Sequence, residues 1–536
     1  MLRPVHLLPS FQNRESDLRI MTKTDRSQDA SQGPAIATGH ACAGGEDGPG
    51  PAVRRLPVSL YGDETHLVQL PMIPLGTRLA SLFERIGQLP DDRVAGCLEE
   101  ILAAYGQRHM DLPSAFEAHY RQAQALIGWQ ADWSPRRRKL AGAYLTMEYA
   151  IEGVALFNPS IVPHPDQANV PDGAVRFLMS LRATGEGHIS SIVFRTGVIG
   201  TSGEVTLDPP PTTLARAQVS PDQQFLKHLI LRRLREMGLR GMRVVEKVLS
   251  MLKDSFTITE LNHAVAEFRK NDPSARGSSQ AIETMIWLAR SNYHVSLPPK
   301  ADITQLVLYP ATQEEAHGVE DLRMVRFVEN DGSVEYFGTY TAYDGTRILP
   351  MLIRTKDYKQ IEVHSINGAA ALDKGMALFP RRVNGHYAMC SRIDGMNLYI
   401  MYSDMVHFWE TATPLAGPYA PWNLLQMGNC GSPIETPEGW LLLIHGVGPM
   451  RKYSIGAMLL DLDNPLKVRG RLSKPLVSAG PSEQYGYVPN VVYTCGAMIH
   501  GDTLYMPFAL TDRYTTMCAI NTDELIRSLI ANGNGK

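Results

Sequence analysis

Gly318-Val319-Glu320-Asp321-Leu322-Arg323 runs straight into an apolar-alternating segment that extends from Arg326 to Tyr340. The alternation predicts a strand, with two adjacent carboxylates and a guanidinium at its leading end. Neighbouring carboxylates raise each other's pKa, and an arginine can hold one of them ionised. That separation of roles is what acid catalysis needs. A solvated Glu-Asp pair in a loop is the bland alternative, and the surrounding chain has to decide between them.

Outward from this stretch, β texture begins after Asn158-Pro159-Ser160-Ile161, with strand-like runs over 176–182 and 189–197. A unit of loop, Gly-containing turn and apolar strand recurs near Arg176, Met324, His386, Trp440 and Thr503. The last four instances lie roughly 50 to 65 residues apart, the period of a four-stranded propeller blade. The first gap is longer, and its excess, about 211–298, is helical. Helical spacing covers 225–237, 244–252, 258–268 and 279–291. The expected fold is mainly β: a five-bladed β-propeller over 155–525, with a helical insertion at about 211–298 and an N-terminal helical segment.

Residues 1–55, rich in Ser, Gly, Asp, Ala and Pro, read as a disordered leader. Residues 56–154 read as a helical accessory region. Leu79, Leu82, Phe83 and Ile86 make one helix face, and Val94, Cys97, Leu98, Ile101 and Leu102 another, with Asp91-Asp92 at its start. Further helices are expected over 114–126 and 134–151. Arg136-Arg137-Arg138-Lys139 reads as a solvated face of the latter, and 526–536 as a C-terminal tail.

Composition narrows the function classes. With 536 residues the chain exceeds one ordinary core. Hydrophobic content of 44% and charged content of 20% are those of a globular protein. A net charge of −3 carries no basic signature, so nucleic acid is not an expected partner. No apolar run reaches the ~18 residues a membrane span needs, and Pro4 and Pro9 break any signal-peptide core. The six cysteines show no CxxC and no metal spacing with histidine. They read as buried reduced thiols, which fits a cytoplasmic enzyme, and no metal-ligand spacing stands out.

Charged residues collect at the ends of strand-like runs. Asp373-Lys374-Gly375 precedes an apolar run, and Ser391-Arg392 ends another. The Gly-rich turn 428–436 precedes Trp440 to Ile444, which His445-Gly446-Val447-Gly448 closes. Asn490-Val491-Val492-Tyr493 and Thr511-Asp512 complete the set. Together with Asn158-Pro159-Ser160, Ser180-Leu181-Arg182-Ala183, Tyr340-Thr341-Ala342 and Leu378-Phe379-Pro380, this ordered series resembles glycoside hydrolase family 130, the β-mannoside phosphorylases and related β-mannosidases.

The resemblance covers roughly 155–525 and implies a five-bladed propeller. It makes Asp321 the general acid, which protonates the leaving oxygen through a hydroxyl of the bound mannose while the nucleophile inverts the anomeric carbon. The resemblance implies no metal and no cofactor; inorganic phosphate, as co-substrate, arrives ionised and needs cations rather than a base. Arg392 and His445 match phosphate-contacting positions, and Lys374 stands where a cation is expected. Asn158, Arg182, Glu483 and Asp512 match sugar-binding positions. Tyr343, Trp409, Tyr485 and Tyr487 are candidates for stacking on a sugar, and Glu186 and His188 for the pocket rim.

Two positions depart from the family pattern. Ser391 replaces a histidine, and Gln426 stands where many phosphorylases carry a lysine; Arg451 and Lys452 can restore the charge. The expected activity is inverting phosphorolysis of β-1,2- or β-1,4-mannosides to mannose 1-phosphate, in a soluble enzyme that can form a homo-oligomer. An inverting β-mannosidase, with Glu435 or Glu438 activating water, and a non-catalytic sugar-binding propeller are the alternatives.

Overall fold

The strand Gly439–Val447 carries five consecutive apolar residues because both its faces are buried. Leu441 and Leu443 pack with Leu504 and Phe508 on one side. Trp440, Leu442 and Ile444 pack with Ala388 and Ile400 on the other. The same two-sided burial organises the rest of the chain, for which a computed structural model describes residues 50–220, 224–236, 238–272 and 279–533. Most of the stretch read as a leader, residues 1–49, lies outside the described residues.

The β region is built of antiparallel meanders. The first runs through Ala155–Pro163, Val175–Thr184, Ser190–Ile199 and Val205–Leu207. The second runs through Gly318–Val328, Val334–Tyr343, Ile348–Thr355 and Gln360–Ser365. Ala377–Leu378, Tyr387–Ser391, Leu398–Ser403 and Ala412–Ala416 form the third. The fourth comprises Gln426–Asn429, Gly439–Val447, Tyr453–Leu460 and Val468–Arg471. The fifth takes Val492–Tyr493, Thr503–Leu510 and Tyr514–Asn521, and is completed by Val53–Leu60. The landmark near Met324 therefore falls in a first strand, whereas those near Arg176, His386, Trp440 and Thr503 fall in second strands.

Each consecutive pair of meanders shares a hydrophobic cluster. Leu178 and Phe194 meet Met324 and Tyr336; Val325 and Phe337 meet Met389 and Met401. The third and fourth share the Trp440 cluster, and the fourth and fifth the Leu441 cluster. The fifth also packs on the first, through Tyr505 and Met517 against Phe177 and Met179.

Several boundaries differ from the sequence reading. Val53–Leu60 is a strand paired with Tyr514–Asn521, so ordered structure begins before position 55. Residues 526–533 are not a tail: Leu525, Ile526 and Leu529 of the helix Thr522–Gly533 are buried in the Leu441 cluster. The helix expected over 134–151 stops at Ala143, and Thr146–Ala150 turns into a strand paired with Leu67–Pro71. Arg137 is not on a solvated face. It donates to the carbonyls of Ile86, Gly87 and Leu89 and to Asp91, capping the C-terminal end of the helix Thr77–Gly87.

The helical insertion has its own core, in which Val245, Val248, Leu261, Ile282 and Leu288 are buried together. A capping box between Thr257 and Glu260 starts the helix Ile258–Asn271. Its flanking strands, Gln218–Val219 and Tyr293–Ser296, extend the far edge of the second meander beyond Gln360–Ser365. The insertion thus hangs from the strand furthest from Asp321. Among the described residues no helix is long and apolar enough to cross a membrane.

Candidate active site

Antiparallel pairing places the start of each first strand beside the end of each second strand. Ala155 meets Thr184, Gly318 meets Tyr343, Ala377 meets Cys390, Gln426 meets Val447 and Val492 meets Leu510. This topology brings Asn158, Arg182, Asp321, Lys374, Arg392, His445 and Asp512 to equivalent ends of the five meanders.

Two bulges aim the central side chains. The register slips between Phe157 and Ser160 in one first strand and between Glu320 and Arg323 in the next. Asn158 and Asp321, within these slips, have φ of 48° and 57°. Asn and Asp tolerate the left-handed region better than most residues, and a bulge re-aims the side chain it carries. The two meet: Asn158 Nδ2 donates to Asp321 Oδ1 at 2.7 Å.

Arg182 binds both carboxylates of the opening stretch. Its Nη1 lies 3.3 Å from Asp321 Oδ1, its Nη2 2.8 Å from Glu320 Oε1, and its Nε donates to Ser190 Oγ at 2.8 Å. Lys374 takes the other oxygen of Glu320 at 2.9 Å. Arg323 donates to the carbonyls of Cys430 and Asp321 and to the Tyr493 hydroxyl. Burial pushes the Asp321 carboxyl up. Arg182, Arg323, the Asn158 amide and Lys374 together outweigh burial and hold its pKa below the usual carboxylate value. Asp321 is therefore ionised in the unliganded pocket.

A second group lies on the third and fourth meanders. Arg392 Nη1 is 3.1 Å from His445 Nε2. A guanidinium only donates, so Nε2 accepts and the ring is neutral. Burial, then Arg392 and Arg323, keeps the His445 pKa well below its ordinary value. A neutral ring presents a dipole rather than a charge, and the positive charge nearby is that of Arg392 and Arg323. Gly428 makes room for the pair: a Cβ there would stand 2.5 Å from His445 Cε1 and 3.2 Å from Arg392 Cδ. Asp373 Oδ2 accepts from Arg392 Nε at 3.4 Å.

Other residues singled out in the sequence fall elsewhere. Glu483 binds Arg55 of the N-terminal strand at 3.3 Å and the Gly480 backbone N–H, outside the cluster around Asp321. Trp409 is fully buried with its Nε1 on the Val406 carbonyl, so its ring faces no ligand. The Tyr343 hydroxyl is taken by the Gly345 carbonyl. Tyr485 is 83% exposed, free to meet a ligand, and Tyr487 stacks on His188 with its hydroxyl 2.7 Å from His188 Nδ1. The Glu186 carbonyl accepts from Tyr149. Glu435 pairs with Trp440 at the opposite end of the strand that carries His445, and is held bidentately by Arg381. Glu438 lies in the same distant turn, where its carbonyl binds Arg469. Neither can activate water at this site.

The sequence marks Glu320 and Arg323 beside Asp321 but not their partners: Arg182 and Lys374 on Glu320, and the Cys430 carbonyl and Tyr493 hydroxyl on Arg323. Their roles rest on partners far away in the chain. Asn429, whose Nδ2 holds the Gly375 carbonyl, leaves its buried Oδ1 without a partner among the described residues, as does Asn158. Such orphaned acceptors suit the hydroxyls of a bound sugar.

The family model described as beta-1,4-mannooligosaccharide phosphorylase matches residues 277–530. A 1,2-beta-oligomannan phosphorylase from Thermoanaerobacter sp. strain X514 is 33% identical over 216 residues, 38% of this chain and 69% of that protein. A beta-1,2-mannobiose phosphorylase from Listeria innocua serovar 6a is 29% identical over 253 residues, 46% of this chain and 68% of that one. A solved Listeria innocua beta-1,2-mannobiose phosphorylase in complex with beta-1,2-mannobiose aligns with 72% of this chain and 93% of its own, at 20% identity and a TM-score of 0.42. The chain belongs to glycoside hydrolase family 130.

Proposed function

We propose that the protein is an inverting β-mannoside phosphorylase, with the five meanders closed into a five-bladed propeller around the site. The cyclic sharing of hydrophobic clusters, fifth on first included, supports that closure. A buried carboxylate on one meander and a cation–imidazole pair across the site carry the functional reading.

In this reading a phosphate dianion sits against Arg392, His445 and Lys374, and its oxygen attacks the anomeric carbon as the bond to the leaving sugar breaks. Asp321 supplies the proton to the leaving oxygen through a mannose hydroxyl. The mannose 1-phosphate formed carries the phosphate's own proton and returns it to Asp321, which balances the cycle. An incoming dianion cancels the cations that hold Asp321 ionised, and the sugar excludes water. Both changes raise its pKa at the moment the acid is needed.

The hydrolytic reading would need a carboxylate free to take a proton from water. Asp373, beside Arg392 at the anion end, is tied to that guanidinium. The deciding experiment is product analysis on β-1,2- and β-1,4-mannobiose with and without phosphate. Mannose 1-phosphate formed only in its presence is expected; free mannose released at equal rate without it would make the protein a hydrolase.

Replacing Arg392 with Gln removes one charge-assisted contact to phosphate. The KM for phosphate should rise on the order of tenfold to a hundredfold, while the KM for the mannoside changes little. Steady-state kinetics with each substrate varied in turn separates the two, and an equal rise in both constants would mean that Arg392 organises the whole pocket.

A further inference from the structure

Asp512 stands apart from the other carboxyls of the site. It follows Thr511 in the turn after Thr503–Leu510, and both residues have positive φ, 53° and 50°. Its Oδ1 is shielded from solvent and has no hydrogen-bond partner among the described residues. The guanidinium that acts on it from the first meander, Arg182, is committed to Asp321, Glu320 and Ser190.

The charged groups that act on Asp512 come from three other elements. Asp321 and Glu320 repel a charge there; Arg182 and, from the fourth meander's turn, Arg451 attract one. The segment before Val492–Tyr493 also packs on this turn, through Val488 N–H on the Thr511 carbonyl, and brings the exposed tyrosines Tyr485 and Tyr487. An ionised carboxylate with a shielded oxygen and no donor is strongly disfavoured.

Resting on the mannoside reading above, we propose that Asp512 binds the sugar as the neutral carboxylic acid, donating its proton in a hydrogen bond to a sugar oxygen. The site then holds two carboxyls in opposite states: Asp321 ionised, with Asn158 and Arg182 donating to it and Arg323 and Lys374 close by, and Asp512 protonated. Burial, reinforced by Asp321, pushes the Asp512 carboxyl up to about 6. Sugar binding to the acid form raises it further by linkage, and affinity is therefore lost on the alkaline side.

The test is calorimetric titration with β-1,2- and β-1,4-mannobiose in phosphate-free buffer, where no phosphorolysis occurs, from pH 5 to pH 8. The wild type should weaken by up to tenfold per pH unit between the free and the sugar-bound pKa. Asp512→Asn keeps an N–H donor at the same place and tolerates the left-handed backbone, so its affinity should be flat over the range. An alkaline loss equally steep in Asp512→Asn, a flat wild type, or a folded Asp512→Asn that binds at no pH would each overturn the inference alone. Failure of the wild type to bind either sugar at any pH would remove the mannoside reading, and this inference with it.

Discussion

Asp321→Asn should lose turnover by on the order of 10² to 10⁴-fold, the usual contribution of a general acid, while still binding the mannoside. The substitution is nearly isosteric. Asn tolerates the left-handed backbone at φ 57°, and an amide oxygen can still accept from Asn158 Nδ2. What disappears is the transferable proton. Product formation with saturating phosphate gives the rate, and calorimetry with mannobiose gives the affinity. Turnover within tenfold of the wild type would place the proton elsewhere, and Asp512 would be the first residue to examine. Loss of rate with affinity intact also excludes the reading as a silent sugar-binding protein.

What the sequence disclosed, and what it hid, follows from the range of the interactions involved. Trp440 to Ile444 read as a strand because burial of both faces leaves an unbroken apolar run. The insertion's helices read as helices because each has a face in a local core. Val53–Leu60 was invisible: its partner strand is Tyr514–Asn521, at the far end of the chain, and Arg54 and Arg55 break the apolar pattern. Trp409 looked like a sugar platform because nothing local marks an indole as buried; its burial depends on packing with Leu352, Met376 and Met401. Glu435 looked available to water, and only the register that sets it against Trp440 shows that it faces away from His445. Within the site, Asp321, Arg392 and His445 were legible as motif residues. The ionised state of Asp321 was not, because the groups that donate to its carboxylate, Asn158 and Arg182, lie on a different meander and well over a hundred residues away in the chain.

Arg182→Met should be the most destabilising of the single changes at this site. The guanidinium is the shared counter-charge of Glu320 and Asp321, all three side chains are largely buried, and its face lies 5.0 Å from the Phe157 ring centre. Methionine fills much of the same volume but leaves two carboxylates short of donors, and breaking a buried pair from one side costs about 3–5 kcal/mol. The sign of the pH dependence identifies the cause. In the wild type the Asp321 pKa is depressed, so its contribution is present above the unfolded carboxylate value and is lost as pH falls through the folded one. Without Arg182, Asp321 loses the largest of the charges that oppose burial and its carboxyl moves up; the variant then recovers part of its stability as pH falls and Asp321 protonates. The gap between wild type and variant, measured by urea unfolding, should therefore be widest near pH 7 and narrower at pH 5. An equal gap at both pH values would assign the loss to packing over Phe157 rather than to charge. Arg182→Lys should restore part of the stability at pH 7 but less of the activity, because a single ammonium cannot hold Glu320, Asp321 and Ser190 in the geometry that a planar fork gives.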